Sequence, residues 1–154
     1  FLNSLPKIAV APLFMIWFGY GILPNILIVF LISFFPVVIN TATGLVAVEE
    51  DLLDLVRYLH ATKWQKLVKI QLPNSLPYIF SGLKIAATTA VTGAIVGEFI
   101  ASDKGLGSLI IASQTTLATP VIFGSLILIT IIGVGLFGLV GVLEKIMMPW
   151  ETQR

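Results

Sequence analysis

The amino-acid sequence predicts an all-α protein that crosses a membrane several times, as a polytopic bundle of about four transmembrane helices. Two observations carry this prediction. The 154 residues are 57% hydrophobic and 11% charged, with a mean hydropathy of +1.02, whereas about a quarter of the residues in soluble domains are charged. Long apolar stretches alternate with short polar ones, and most of these stretches approach the ~20 residues that cross a hydrocarbon core. The pattern excludes a soluble globular domain.

The rest of the composition excludes several kinds of site. A net charge of +1 leaves no basic surface of the kind that binds nucleic acid. The absence of cysteine and the single histidine exclude disulfides, thiolate metal sites and imidazole clusters, so we expect no cofactor. The chain opens on Phe1 with neither an initiator Met nor a signal-peptide pattern, and we expect it to be the carboxy-terminal part of a longer protein.

Apolar patterning divides the chain, treated as one domain over 1–154, into four predicted spans at about 5–19, 23–43, 81–101 and 120–142. The first is short for a crossing, and we expect its remainder to lie upstream of Phe1. Pro36 does not argue against the second span, because membrane helices tolerate proline where neighbours satisfy the freed backbone groups. Trp17 and Tyr20 predict an interfacial turn between the first two spans.

A polar loop at about 49–73 separates the second and third predicted spans. Its acidic residues precede its basic ones, an order that suits the two ends of a helix dipole. Apolar residues recur at helical spacing, and Ala61 and Thr62 predict a break into two short helices. Pro73 and Pro77 are expected to stop the helical pattern and redirect the chain into the third span.

The distribution of lysine and arginine predicts the topology. The basic segment from Arg57 to Lys69 should be cytoplasmic, and the link from Ser102 to Thr119 extracytoplasmic. Four further basic residues are expected on or near the cytoplasmic side: Lys7, Lys84, Lys145 and Arg154. Lys104 alone is expected on the opposite, extracytoplasmic side.

Few side chains in the predicted spans could carry function. Glu98 is the only acid inside a predicted span, and it is either part of a pathway or gate, or a carboxylate that reaches interfacial water near the end of its helix. Thr89, Gly93 and Gly97 are spaced four apart, which favours close helix packing over a role in lining a pathway. The glycines of the fourth span favour the same interpretation: Gly133, Gly135, Gly138 and Gly141. Gly105 and Gly107 favour a plain turn over a re-entrant segment.

Two residues of the polar loop have competing interpretations. His60 is more consistent with a surface histidine than with a pH switch, since it lies among lysines. Trp64 is flanked by Lys63 and Lys66 and is expected to anchor the loop either to a partner protein or to the membrane interface.

Asp54 to Pro73 resembles the EAA loop of binding-protein-dependent ABC importer permeases. That loop has Glu-Ala-Ala, three residues, Gly, nine residues, then Ile-x-Leu-Pro. Its spacing is met in full by seven residues: Asp54, Leu55, Val56, His60, Ile70, Leu72 and Pro73. Only the ending matches by identity, and His60 in place of Gly is the clearest departure.

Further motifs resemble the nitrate, sulfonate and taurine branch of the same family. They run in order along most of the chain: Leu5-Pro6-Lys7-Ile8, Trp17-Phe18-Gly19, Leu76-Pro77, Gly82-Leu83-Lys84, Glu98-Phe99-Ile100 and Gly105-Leu106-Gly107.

The resemblance implies a multi-pass permease subunit in the bacterial cell membrane, which pairs with a second permease subunit, expected to be identical. It implies two further partners, a cytoplasmic ATP-binding subunit and an extracytoplasmic substrate-binding protein. The chain has no Gly-x-x-x-x-Gly-Lys-Ser/Thr motif, so we expect a transport subunit whose ATP is hydrolysed on a partner chain. The loop residues expected to couple with the ATPase also include Arg57, Leu59, Ala61 and Trp64.

Substrate identity stays open among nitrate, taurine, alkanesulfonates and thiamine-precursor pyrimidines. Three rival functions fit the pattern less well. A secondary transporter or channel usually needs ionisable groups at mid-membrane, and an intramembrane enzyme needs paired catalytic groups. A non-transporting membrane scaffold gives no reason for the ordered loop spacing.

Overall fold

The computed structural model describes residues 6–149, and every regular element in this range is helical. A 3-10 turn at Lys7–Val10 precedes the first helix, and a π-helical turn at Leu67–Gln71 joins the fourth to the fifth. The helices are α1 (Ala11–Phe18), α2 (Ile22–Val46), α3 (Glu50–Tyr58), α4 (Lys63–Lys66), α5 (Leu72–Ala101), α6 (Leu106–Thr115) and α7 (Thr119–Met147). Leu5, which begins the first predicted span and one of the resemblance motifs, lies outside the described residues, as does Arg154.

Three helices are long and apolar enough to cross a membrane: Ile22–Val46, Lys63–Ile100 and Thr119–Met147. They confirm an all-α membrane bundle. The predicted spans at 23–43 and 120–142 are extended at both ends, and the span at 81–101 is extended at its start. The first apolar stretch forms only a shorter helical segment, Lys7–Phe18. A crossing at 5–19 therefore stays a prediction.

The prediction that Pro73 and Pro77 end the helical pattern is wrong. The chain stays helical from Lys63 to Ile100, because the π-helical turn relieves the constraint that proline imposes. The N–H of Leu72 donates to the carbonyl of Leu67, which widens the helix just before Pro73. Pro73 follows this turn as the second residue of α5, and Pro77 lies inside α5. The third span is thus the upper part of a longer helix that begins in the polar loop.

The core of the bundle is a close contact between α2 and α5, here called the α2–α5 seam. Four glycines make it possible: Gly44 on α2, and Gly82, Gly93 and Gly97 on α5. A Cβ added at Gly82 would lie 3.0 Å from the carbonyl oxygen of Pro36, and one at Gly93 would lie 3.3 Å from Val29 Cα. The expectation that Gly93 and Gly97 face another helix at close range is confirmed. Small residues let the backbones approach, as in other membrane helix pairs.

The glycines of α7 behave differently. A Cβ at Gly135 or Gly138 would meet nothing within 4 Å, and one at Gly133 or Gly141 would meet a single side-chain atom at 4.0 Å. Within residues 6–149 they make no close helix contact, contrary to the expectation from their spacing. Both helices carry several closely placed glycines, but α7 packs against α5 and α6 without bringing its glycines close to either helix.

The segment between α5 and α7 is more than the turn that was predicted. Gly105 makes a turn with φ +118°, and α6 follows at once. Gly107, Ile110 and Ser113 are the buried residues of α6, which packs against both α5 and α7. The link between α5 and α7 therefore contains a packed helix, and its extracytoplasmic side stays a prediction.

Replacing Gly82 with Leu should reduce the yield of folded protein and lower its thermal unfolding temperature. The added side chain collides with α2 backbone, and overpacking of this kind costs about 1–3 kcal/mol. Gly135→Leu is the matched control, since it adds the same side chain to a helix where the described chain leaves open space. Equal losses in the two variants would contradict the α2–α5 seam as the tight contact.

Candidate functional site

The polar loop folds as a helix-turn-helix made by α3 and α4. Glu50 and Asp51 lie in the first turn of α3 and Arg57 in its last, so charge complements the helix dipole at both ends. Arg57 Nη1 also pairs with Asp54 Oδ1 at 2.7 Å, but both side chains are largely exposed, and such surface pairs add little stability. The predicted break at Ala61 and Thr62 is confirmed.

His60 forms the turn itself, with φ +50°. Its N–H donates to the carbonyl of Arg57, and the N–H of Ala61 donates to the carbonyl of Val56. These two bonds are the Schellman motif that ends many helices, and its central position is usually glycine. His60 thus adopts the left-handed backbone conformation that glycine usually takes at this position of the motif.

A reciprocal capping box starts α4 on the other side of the turn. The N–H of Gln65 donates to Thr62 Oγ1 at 3.3 Å, and the N–H of Thr62 donates to Gln65 Oε1 at 2.9 Å. This arrangement satisfies donors that a helix start leaves free. Sequence reasoning placed the break but did not identify the box, although Thr followed by Gln three residues later is its signature.

The helix-turn-helix presents large apolar side chains away from the bundle. Trp64 is 72% exposed and Leu59 67%, while Leu55 is 54% exposed. Tyr58, which sequence reasoning did not single out, is 85% exposed. Among the other residues predicted for coupling, Val56 is buried, Ala61 and Ile70 are half-buried, and Leu72 and Pro73 are exposed. The geometry brings Leu55, Tyr58, Leu59 and Trp64 to one projecting element of the chain, here called the loop apex.

Glu98 lies at the opposite end of the bundle and anchors α6. Its Oε2 accepts a hydrogen bond of 2.6 Å from the backbone N–H of Gly107, in the first turn of α6. A carboxylate is favoured there by the positive end of the helix dipole. A Cβ at Gly105 would overlap the carboxylate, and one at Gly107 would lie 2.8 Å from Glu98 Cβ. The motif that joins Glu98 to Gly105 and Gly107 is therefore a packing requirement.

Three cavities meet at Glu98. The outermost, of about 520 Å³, is bounded by the turn at Tyr20 and the link at 102–105. A second, of about 490 Å³, runs along α2 past Asn25 to Ser33, and the third, of about 250 Å³, lies between α5, α6 and α7. Asn25 lines the first two, and its Oδ1 is buried without a hydrogen-bond partner in the described chain. Neither sequence-based interpretation of Glu98 included its bond to α6. Glu98 lines all three cavities, and its role in a pathway or gate stays a prediction.

Thr89 lines a separate cavity of about 350 Å³ on another side of α5, together with Thr92 and Lys7. Lys7 Nζ lies 4.6 Å from the centroid of the Phe35 ring, and Phe35 is near the middle of α2. The ammonium group of Lys7 thus lies beside the middle of α2, and the prediction that Lys7 lies on or near the cytoplasmic side stays a prediction. Gly93 is buried against Val29 and Ile32 and lines none of these cavities.

An ion pair between α5 and α7 was also missed. Lys84 Nζ pairs with Glu144 Oε2, and the side chains are 25% and 24% exposed. Glu144 lies outside the predicted fourth span but inside α7, which extends to Met147. Charged groups within membrane helices usually pair in this way. The pair joins the carboxy-terminal end of α7 to α5, where the α7 glycines make no close contact with residues 6–149.

Comparison with known proteins gives one family. The family model described as "Binding-protein-dependent transport system inner membrane component" matches residues 1–150. The chain is 37% identical over 97% of its length to the riboflavin transport system permease protein of Chloroflexus aurantiacus, and covers 56% of that protein.

Two other relatives are similar over nearly the whole chain. The formylaminopyrimidine transport permease protein of Halalkalibacterium halodurans is 34% identical over 99% of this chain, which covers 61% of it. The taurine transport system permease protein of Escherichia coli is 32% identical over 98%, with 55% of it covered. The chain thus spans somewhat more than half the length of these relatives.

Replacing Glu98 with Leu should loosen α6. A hydrogen bond to a charged acceptor contributes about 1.5–3 kcal/mol, so amide exchange within 106–115 should accelerate by roughly tenfold to a hundredfold. Hydrogen-exchange mass spectrometry of the full-length protein in detergent measures this directly. Glu98→Gln keeps an acceptor oxygen and should show a smaller change. Unaltered exchange in the Leu variant would mean that the bond does not hold α6.

Replacing His60 with Gly should leave stability equal or raise it, by up to about 1 kcal/mol, because a non-glycine residue pays roughly that much to adopt a left-handed conformation. His60→Val is the matched control and should lose stability, since a β-branched side chain tolerates positive φ poorly. Thermal unfolding of the three proteins in one detergent gives the order. If the Gly variant were as unstable as the Val variant, position 60 would not require a left-handed backbone conformation.

Proposed function

Because this chain belongs to the family of binding-protein-dependent transport system inner membrane components, we propose that it acts as the permease subunit of an ATP-driven ABC importer. In this proposal it is a transport subunit of the cell membrane and ATP is hydrolysed by a separate cytoplasmic subunit. An extracytoplasmic binding protein delivers the solute, and a second, identical permease subunit completes the pathway. The family match over residues 1–150 is the observation that carries the proposal.

The polar loop is proposed to dock onto the ATPase, with the loop apex at the centre of the contact. Protein interfaces depend on a few large anchors, with tryptophan and tyrosine prominent among them. Trp64 and Tyr58 are exposed on a short element whose shape is fixed by the His60 turn and the capping box. An exposed apolar surface on a rigid, projecting helix-turn-helix supports protein docking over random exposure. The flanking Lys63 and Lys66 would orient the partner more than bind it.

The solute pathway is proposed to follow the cavities that meet at Glu98. Their position at the outer ends of α2 and α5 suits entry of a solute from the extracytoplasmic side. Asn25 and Glu98 supply polar groups to the first two of these cavities, and the walls of the second are otherwise apolar except for Ser33, an arrangement common in small-molecule sites. Thr89 belongs to the separate cavity beside Lys7 and is proposed as a second polar contact, whereas Gly93 has a packing role.

The relatives suggest a small organic solute. Their names specify riboflavin, formylaminopyrimidine and taurine, and the two with the higher identities are named for nitrogen heterocycles. We propose a solute of this size range, with the thiamine-precursor pyrimidines, taurine and alkanesulfonates as the first compounds to test. Nitrate is the remaining test compound.

Replacing Trp64 with Ala should weaken retention of the ATPase, because loss of a central anchor costs on the order of 2 kcal/mol. Leu59→Asp should have the same effect by placing a charge in the contact. Pull-down of the co-expressed ATPase with the full-length permease measures retention, and hydrolysis and uptake are measured on the same preparation.

Trp17→Ala is the control, since Trp17 is 63% exposed but lies at the outer end of α1. It should retain the ATPase normally. Normal retention and normal coupled uptake in both loop variants would overturn the docking role of the polar loop.

A further inference from the structure

Two side-chain amides close the base of the polar loop. Gln71 Nε2 donates to the carbonyl oxygen of Leu45 at 3.0 Å, and Asn74 Nδ2 donates to the carbonyl oxygen of Ala47 at 3.3 Å. Both acceptors belong to the last turn of α2 or its cap. A helix end leaves its final carbonyls without intrahelical partners, so these amides satisfy groups that would otherwise need water. We call the two bonds the loop clamp.

The loop clamp lies beside the tightest part of the α2–α5 seam. A Cβ at Gly44 would approach Tyr78 Cβ to 2.7 Å and Ser75 Cβ to 2.9 Å, and Ser75 is fully buried. Gly44 precedes Leu45 directly, and Ser75 follows Asn74. The two amide bonds thus extend a close backbone contact to the point where the loop leaves the bundle.

The two ends of the loop connect to the bundle in different ways. On one side, α4 continues through the π-helical turn into α5 without a break. On the other side, three residues, 47–49, separate α2 from α3. A displacement of the loop apex would therefore reach α5 through continuous helix. It would reach the loop end of α2 only weakly through the short connection, unless the loop clamp and the adjoining Gly44 contact carry it.

We propose that Gln71 and Asn74 are positioning residues that make α2 and α5 move as one body when the polar loop is displaced. The proposal rests on the proposed function, in which an ATPase displaces that loop. Hinge and shear transitions need elements whose contacts stay fixed while others change, and the loop clamp with the Gly44 contact is such a fixed unit. Without it, α5 follows the loop and α2 lags behind.

The test uses the full-length protein with its co-expressed ATPase subunit. Residues 1–154 contain no cysteine, so Val46→Cys on α2 and Leu83→Cys on α5, both exposed, accept a pair of spin labels. The distance between the labels is measured with and without a non-hydrolysable ATP analogue. The clamp is removed by near-isosteric substitutions without a donor, Gln71→Met with Asn74→Leu. Gln114→Leu, an exposed amide on α6, is the matched control.

In the unsubstituted protein and the Gln114→Leu control, we expect the nucleotide to leave the distance unchanged. In the clamp variant we expect a nucleotide-dependent shift, with ATPase retention unchanged and uptake per ATP hydrolysed reduced severalfold. A rescue variant combines Gln71→Met with Asn74→Gln, which keeps an amide donor at position 74. We expect it to restore part of the coupling between α2 and α5. This rescue separates positioning from a loss of folding.

Two results would overturn the inference, and they differ from failure of the proposed function. If the ATPase is retained but the clamp variant shows an unchanged distance and normal uptake per ATP, Gln71 and Asn74 do not couple the helices. If the shift already occurs in the unsubstituted protein, the two helices do not move as one body. If no ATPase is retained by the unsubstituted protein, the proposed function itself fails, and the inference fails with it.

Discussion

The close approach of α2 and α5 is the constraint on which the rest of the structure depends. Water does not drive helices together inside a bilayer, so association there depends on van der Waals packing and hydrogen bonds. Both require the backbones to come close, and glycine at four positions of the α2–α5 seam allows this. The two ends of the seam then determine what the chain can do at each membrane surface.

At the outer end, Gly97 lies against Asn25, and Glu98 follows directly on α5. The carboxylate reaches the start of α6 and leaves three cavities open around it. One residue thus combines a structural bond with a position on the walls of the cavities. A bond from a backbone N–H uses one carboxylate oxygen, and the side chain still offers a second acceptor to anything that enters.

At the inner end, the α2–α5 seam continues into the loop clamp, and beyond it the helix-turn-helix projects from the bundle. Its stability comes from local devices, the Schellman turn at His60 and the capping box of Thr62 and Gln65. Such local bonds can hold a shape while the apolar side chains of the loop apex stay exposed. A backbone held by local bonds, with apolar side chains left exposed, suits an element that binds a partner. α7 differs, because it packs against α5 and α6 without close glycine contacts in the described chain, and an ion pair also joins it to α5.

The sequence by itself determined the fold class, two of the long helices and the break at Ala61 and Thr62, because apolar length, charge and capping residues act over a few neighbouring positions. It also predicted that Gly93 and Gly97 face another helix, since four-residue spacing puts both on one side. Only the tertiary structure decided which glycines pack, because α5 and α7 both carry several glycines but, within residues 6–149, only those of α5 meet a neighbouring helix at close range. It also decided that Lys7 lies at mid-span, that Glu144 pairs with Lys84 and that Glu98 holds α6. Each of these contacts joins residues of two different helical segments, and it depends on the relative placement of those segments, which no local sequence pattern contains.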